Sequence, residues 1–272
     1  MSDDQSTAAA FAASWNTLPA GSVYTRAQFE DWLQPLTAGD VAGKRVLEMG
    51  CGNGSLLVHL AGWQPAYVEG IDLGEAVLSA RRNMSLTGHP NWKVSQADLT
   101  SFRSPGFDLV YCIGVLHHLQ NPKAGLDAVV ANVARGGRFH CWVYAREGNG
   151  LVIHLVEPLR RIFCRFPWWF TKYGVATPLA IPFYLYAKLV AALGTRPLAR
   201  KLPLASYCRW IAQREFSFFR HVAFDQLVTP QTTFIDRQTI EGWLKSYPQI
   251  REDSVYLLMR NGNSWKFGAQ VR

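Results

Sequence analysis

From residue 44 onward, short apolar runs alternate with stretches whose apolar residues recur at helical spacing. The runs 44–49 (KRVLEM), 67–71, 92–95, 107–113 and 137–144 read as five strands, and 55–61, 75–86 and 123–133 read as helices between them. Such alternation is what a parallel sheet built from strand–helix–strand units requires. At the far end, two β-rich runs, 250–260 and 264–271, flank Asn261-Gly262-Asn263, a hairpin signal. Before them Asp236 reads as the N-cap of a helix over 237–246, with Trp243 and Leu244 packing it onto the sheet, and 224–233 reads as a loop. The pattern predicts an α/β fold with a mostly parallel sheet of seven strands ending in an antiparallel hairpin and flanked by helices. The expected division is an N-terminal helical cap (1–40), the core (41–149), a basic aromatic helical insertion (150–228) and a closing segment (229–272).

Composition changes this picture in one place. The chain has 272 residues and a net charge of +8. Residues 151–220 hold 11 Lys/Arg against Glu157 and Glu215, together with 14 of the 35 aromatic residues, so the excess charge belongs to the insertion. Its longest uncharged run, 173–187, contains Pro178 and Pro182 and is shorter than the ~20 apolar residues of a spanning helix. We expect a helical lid over an acceptor pocket; a surface resting on a membrane and a dimerisation patch are the competing uses. Basic residues are interleaved with aromatics (Arg160, Arg161, Phe163, Arg165, Phe166) but not striped, so no nucleic-acid partner is expected. Five cysteines without a CxxC pair argue against a disulfide framework and a structural metal site. The start of the chain has no basic-then-apolar pattern, so a cytoplasmic location is expected, at most peripheral to the inner membrane.

The candidate chemistry begins at 46–54, VLEMGCGNG, where Gly50, Gly52 and Gly54 follow a buried strand that carries an acid, Glu48. Glycines there let the backbone turn tightly and approach a ligand. The spacing is GxGxG, not the GxGxxG of dinucleotide sites, and suits a nucleoside carrying an amino acid. Asp72 in GIDL closes the second strand, where a carboxylate can accept both ribose hydroxyls, and Asp98 in QADL ends the third, placed to meet an adenine amino group.

Together with FDLVYCIGVLHHL, these segments resemble the successive motifs of the class I (Rossmann-like) S-adenosylmethionine-dependent methyltransferases, in register from about Gly43 to Tyr144. The resemblance implies S-adenosylmethionine (SAM) as cofactor. It places Glu48, Gly50, Gly52 and Gly54, with Cys51 and Asn53 between them, on the methionine part, and Asp72 and Leu73 on the ribose. Asp98 and Leu99 would flank the adenine, and the backbone at Ile113 and Gly114 would meet the amino-acid end. In related enzymes an N-terminal helix closes over the cofactor, so Trp15, Tyr24 and Arg26 are candidates to touch SAM or substrate, whereas Phe29 and Trp32 read as packing residues.

The acceptor side is less defined. His117 and His118 follow the fourth strand, at the end that lies over the reactive group in this fold, so either is a candidate base; packing of the next helix is the alternative. Tyr144, Glu147 and Asn149 leave the fifth strand at the same edge and are candidate acceptor-side residues, Tyr144 also for catalysis, with His154 opening the insertion. The expected function is methyl transfer to a small molecule, such as a secondary metabolite or a glycan or lipid precursor, held under the lid. A SAM-consuming reaction that yields methylthioadenosine, and a non-catalytic SAM-binding protein, are the alternatives; the acceptor atom and the oligomeric state stay open.

Overall fold

The computed structural model describes residues 3–16, 20–194 and 196–272. Three helices lead in: α1 (Asp3–Trp15), α2 (Arg26–Leu33) and α3 (Ala38–Val41). The core then runs β1 (Arg45–Met49), α4 (Ser55–Ala61), β2 (Tyr67–Asp72), α5 (Val77–Ser85), β3 (Trp92–Gln96), β4 (Phe107–Ile113), α6 (Pro122–Ala131) and β5 (Val133–Tyr144). The insertion carries α7 (Glu157–Phe163), α8 (Thr177–Leu193), α9 (Pro197–Lys201), α10 (Ala205–Ile211) and α11 (Phe216–Val228). The chain closes with α12 (Arg237–Lys245), β6 (Tyr256–Arg260) and β7 (Ser264–Gln270).

The seven strands lie in the order β3-β2-β1-β4-β5-β7-β6. β1 to β5 pair in parallel, and β7 runs antiparallel between β5 and β6. Alternation along each strand divides the core into two layers. Leu47 and Met49 of β1 and Val110 and Cys112 of β4 face the layer that α6 and α12 cover, whereas Val46, Leu109 and Tyr111 face the layer covered by α2, α4 and α5. Trp243 and Leu244 do pack α12 onto the sheet, and Asp236 caps it by accepting from the Thr239 amide at 2.7 Å. Asn261 (φ 51) and Gly262 (φ 71) both take the left-handed conformation that a tight hairpin turn requires.

Four sequence expectations are corrected. β5 starts at Val133, and its register against β4 slips between the Phe107 and Leu109 pairs; Gly136, at φ 78, absorbs the irregularity. β6 starts only at Tyr256, because Glu252–Ser254 form a 3-10 turn and Ile250 makes an isolated bridge to Val271. Residues 224–228, expected as loop, belong to α11, where Phe224, Leu227 and Val228 are buried. The prolines do not break the insertion: its chain is helical without interruption over Phe170–Leu193, 24 residues, long and apolar enough to cross a membrane by length and composition.

The insertion has its own small core. Ala180, Ala187 and Val190 of α8 meet Cys208 and Ile211 of α10 and Phe219 of α11, and their small side chains let the helices approach closely.

Candidate active site

The loop after β1 is held by the sheet itself. The Gly50 and Cys51 amides both donate to the Ile71 carbonyl, at 2.8 and 2.9 Å, so the chain turns back across the end of β2. Gly50 sits at φ 87, and a Cβ built there would lie 2.3 Å from a Val115 methyl, so only glycine fits. The Asp72 carboxylate accepts from the Gly52 and Gly74 amides, each at 2.9 Å, which fixes it at the loop's rim. Glu48 is buried at the floor; burial pushes its carboxyl up to about 8, against the opposing pull of the Tyr111 hydroxyl that donates to it at 2.9 Å. Asp98 accepts from the Thr100 amide and hydroxyl, at 2.8 and 2.7 Å, pinning the turn after β3.

These groups line one end of a cavity of about 620 Å³, within the range of ligand pockets. Glu48, Gly50, Cys51, Gly52, Asp72, Leu73, Asp98, Leu99, Ile113 and Gly114 all reach its wall. α1 roofs this end through Asp4, Thr7, Ala8 and Phe11. Trp32, expected as packing, also faces the cavity beside Tyr24, whose ring it meets edge-on at 4.7 Å, and its buried indole N–H has no hydrogen-bond partner.

The other end is built by β5 and the insertion. Trp142, Tyr144, Phe183, Tyr207, Trp210 and Phe234 form aromatic walls. Tyr144 is placed by a buried relay: Arg160 donates to the Gln226 side-chain oxygen at 2.7 Å and to its carbonyl at 2.6 Å, and it pairs with Glu157. With its oxygen held by Arg160, the Gln226 amide must present its N–H to the Tyr144 hydroxyl, 2.9 Å away. The phenol accepts that bond, which leaves its own proton for the cavity. Burial, with the Asp225 charge adding to it, pushes this phenol up to about 12.

Sequence reasoning missed His221 and Asp225, one turn apart on α11 and both on the cavity wall. The His221 Nε2 lies 3.3 Å from Asp225 Oδ2, and among the described residues neither His221 Nε2 nor Asp225 Oδ1 has an aligned hydrogen bond. Burial raises the Asp225 carboxyl, with His221 and Lys172 opposing. Their i, i+4 spacing was visible as HVAFD, but the stretch was read as running into a loop. Tyr24 marks where the two ends meet: burial raises its phenol, and so do the nearby charges of Asp225 on one side and Glu48 on the other.

Several predicted residues lie elsewhere. Arg26 points outward to Glu30, 2.7 Å away. Asn53 is buried behind the loop, accepting from Ser55 and Asn83, and Gly54 starts α4 at φ 76, packed on Ala80. Glu147 clamps the turn after β5 by accepting from the Arg237 amide and the Trp265 indole. His154 is exposed and off the wall. His117 is fully buried with its ring 4.1 Å from that of Tyr144, its wholly desolvated imidazole is kept neutral, and it does not reach the cavity. His118 does reach it, but its Nδ1 is held by the Gln231 carbonyl at 3.1 Å and burial lowers it to about 4. Asn149 lines the cavity while its amide donates to the Ala145 and Asn263 carbonyls. The Trp15 side chain lies outside the described residues. Among the described residues no group of three or more His, Cys, Asp or Glu side chains could hold a metal ion.

A seven-stranded sheet of this order, with a glycine loop after β1 and an acid at the end of β2, defines a Rossmann-like class I methyltransferase fold. Residues 47–139 match the family model described as a methyltransferase domain. The ubiquinone biosynthesis O-methyltransferase of Bordetella pertussis is 35% identical over 116 residues, which span 42% of this chain and 46% of that protein. The chain thus matches less than half the length of that relative. The crystal structure of magnesium protoporphyrin IX methyltransferase from a Synechocystis, with bound S-adenosylhomocysteine, superposes with a TM-score of 0.54 at 16% identity, covering 91% of this chain and 83% of that one. An O-methyltransferase family protein from Burkholderia thailandensis gives 0.52 at 12% identity, over 90% and 56%. Residues 47–139 therefore carry a methyltransferase domain with the class I, Rossmann-like fold.

Proposed function

We propose that the protein is a SAM-dependent methyltransferase acting on a hydroxyl of an apolar small molecule held beneath the insertion. The observation that carries this reading is the continuous cavity in which the wall of Glu48, Gly52 and Asp72 meets that of Tyr144, His221 and Asp225 at Tyr24.

The cofactor end fits SAM on three counts. The buried Glu48 carboxyl at its floor suits the cofactor's ammonium, which would favour ionisation of a group that burial alone keeps protonated. Asp72 and Asp98 supply acceptors for the ribose and the adenine, and the unpartnered Trp32 indole N–H offers a donor. Bound SAM supplies a methyl group on a sulfonium, whose transfer leaves a neutral thioether.

This chain's own residues do the rest. The aromatic walls and the lid exclude water and hold the acceptor against the cofactor end. The Tyr144 hydroxyl, turned outward by the Gln226 amide, donates to the acceptor oxygen and orients it. His221, paired with Asp225, takes the hydroxyl proton as the new carbon–oxygen bond forms, and Asp225 stabilises the imidazolium that results. The dyad and the O-methyltransferase relative favour an oxygen acceptor.

The test is product analysis. Purified protein incubated with SAM and a panel of phenols and apolar alcohols is expected to release S-adenosylhomocysteine only when an acceptor is present. Methylthioadenosine would replace methyl transfer by a different SAM-consuming reaction. Tight SAM binding by calorimetry with neither product would make the chain a non-catalytic binder.

A further inference from the structure

The outer surface of the insertion is used by nothing described so far. Eleven of the sixteen large hydrophobic side chains exposed among the described residues lie between Leu151 and Leu189. On α8 the inner face is spent on the insertion's core, yet Ile181, Leu185 and Leu189, at i, i+4 spacing, point to solvent at 49, 61 and 58% exposure. Before α8, Trp168, Trp169 and Tyr173 continue the same apolar exposure. A large exposed apolar patch on a protein marks a surface that meets a partner or a membrane.

We infer that this face docks flat on a bilayer surface rich in anionic lipid. Three observations select that occupant. First, charge: Arg161 and Arg165 are exposed and alternate in sequence with the apolar residues, and from 151 to 214 Glu157 is the one acid, paired with the buried Arg160 and 3.7 Å from Arg161. Anionic headgroups complement such a surface. A second copy of this chain, presenting the same basic face, would meet it with like charge. Second, composition: exposed tryptophans and a tyrosine beside basic residues suit the level where acyl chains give way to headgroups. Third, continuity: Leu155 and Leu179 line the cavity at 61 and 42% exposure, so the cavity opens within the insertion that carries the apolar face. An apolar acceptor would then enter from the lipid phase without crossing water. α8 lies along the protein with Ala180, Ala187 and Val190 buried against its neighbours, so it rests on the bilayer and does not cross it.

Flotation of the purified full chain with phosphatidylcholine vesicles, with and without phosphatidylglycerol, tests the proposal. Binding is expected to need phosphatidylglycerol and to weaken as salt rises. It should fall by roughly tenfold or more in Leu185→Glu/Leu189→Glu and in Arg161→Gln/Arg165→Gln. Unchanged SAM affinity would verify that both variants fold, and it separates this test from that of the catalytic reading. No flotation of the wild type, or flotation indifferent to both variants, overturns the proposal. So does a dimer in sedimentation that Leu185→Glu/Leu189→Glu dissociates, because the face would then bind a second copy. Retention through an alkaline carbonate wash would mean that α8 crosses the bilayer, and overturns flat docking.

Discussion

The two ends of the cavity are built on different principles. At the cofactor end, position is a property of the backbone: sheet carbonyls hold the loop, loop amides hold Asp72, and Gly50 fits because any side chain would strike Val115. At the other end, position belongs to side chains: Glu157, Arg160, Gln226 and Tyr144 hold one another, and His221 lies 3.3 Å from Asp225 one turn away. A backbone-built site tolerates sequence change around it as long as the glycines and acids stay. A side-chain-built site can be recast for a new acceptor by a few substitutions. The family match, 47–139, covers the loop, Asp72 and Asp98 and none of the insertion.

If the division is real, damage at one end should leave the other working. The largest expected effect is on turnover: His221→Ala should lower kcat by about 10²- to 10³-fold. Calorimetric affinity for SAM should stay within about twofold, since the groups that hold the cofactor loop and Asp72 lie on other elements. A rate that survives the change would remove the dyad from catalysis. Next, Arg160→Met strips the Glu157 carboxylate and Gln226 of their buried partner, at a cost of about 3 kcal/mol. Hydrogen exchange should show the loss confined to 151–228, with the β1–β5 sheet still protected. Uniform loss of protection would mean that insertion and sheet unfold as one unit.

On the cofactor side, Asp72→Ala should weaken SAM binding by about 1.5–3 kcal/mol while acceptor binding is unaffected. Unchanged SAM affinity would displace Asp72 from the ribose. The smallest effect concerns pH. The Glu48 carboxyl, raised to about 8 by burial, is protonated in the fold at pH values where the unfolded chain has released its proton. Its ionisation therefore costs the cofactor-free fold nothing below about pH 4.5, and the cost grows as pH rises toward 8. Glu48→Gln should accordingly raise the cofactor-free Tm by roughly 2–5 °C at pH 8 and leave it unchanged at pH 4, even as SAM affinity drops. An equal gain at both pH values would assign the effect to packing and not to charge.

Much of the cofactor half was readable along the chain. GxGxG after an apolar run, then GIDL and QADL after the next two strands, could be grouped because alternation puts these segments at the same ends of parallel strands, whereas the strand order came from the tertiary structure. His117 and His118 show the limit of that reading: adjacent in sequence and both candidates, they share one 3-10 turn that buries the first and brings the second to the cavity. Trp32 packs in the core as expected and also reaches the cavity wall, which its sequence position did not show.

The insertion was legible as basic, aromatic and helical, and little beyond that. That Pro178 and Pro182 would sit inside one continuous helix, that Leu185 would face outward while Ala187 faced inward, and that HVAFD would stay helical and aim two polar groups at the cavity, depended on which neighbours each face met. Local pattern alone determined the sheet, its hairpin and the cofactor loop, since those rest on backbone hydrogen bonds and on where glycine is required. Tertiary structure decided the aromatic end of the cavity and the exposed face, since both are set by contacts between residues far apart in the chain, such as Arg160 with Gln226 and Tyr144 with α11.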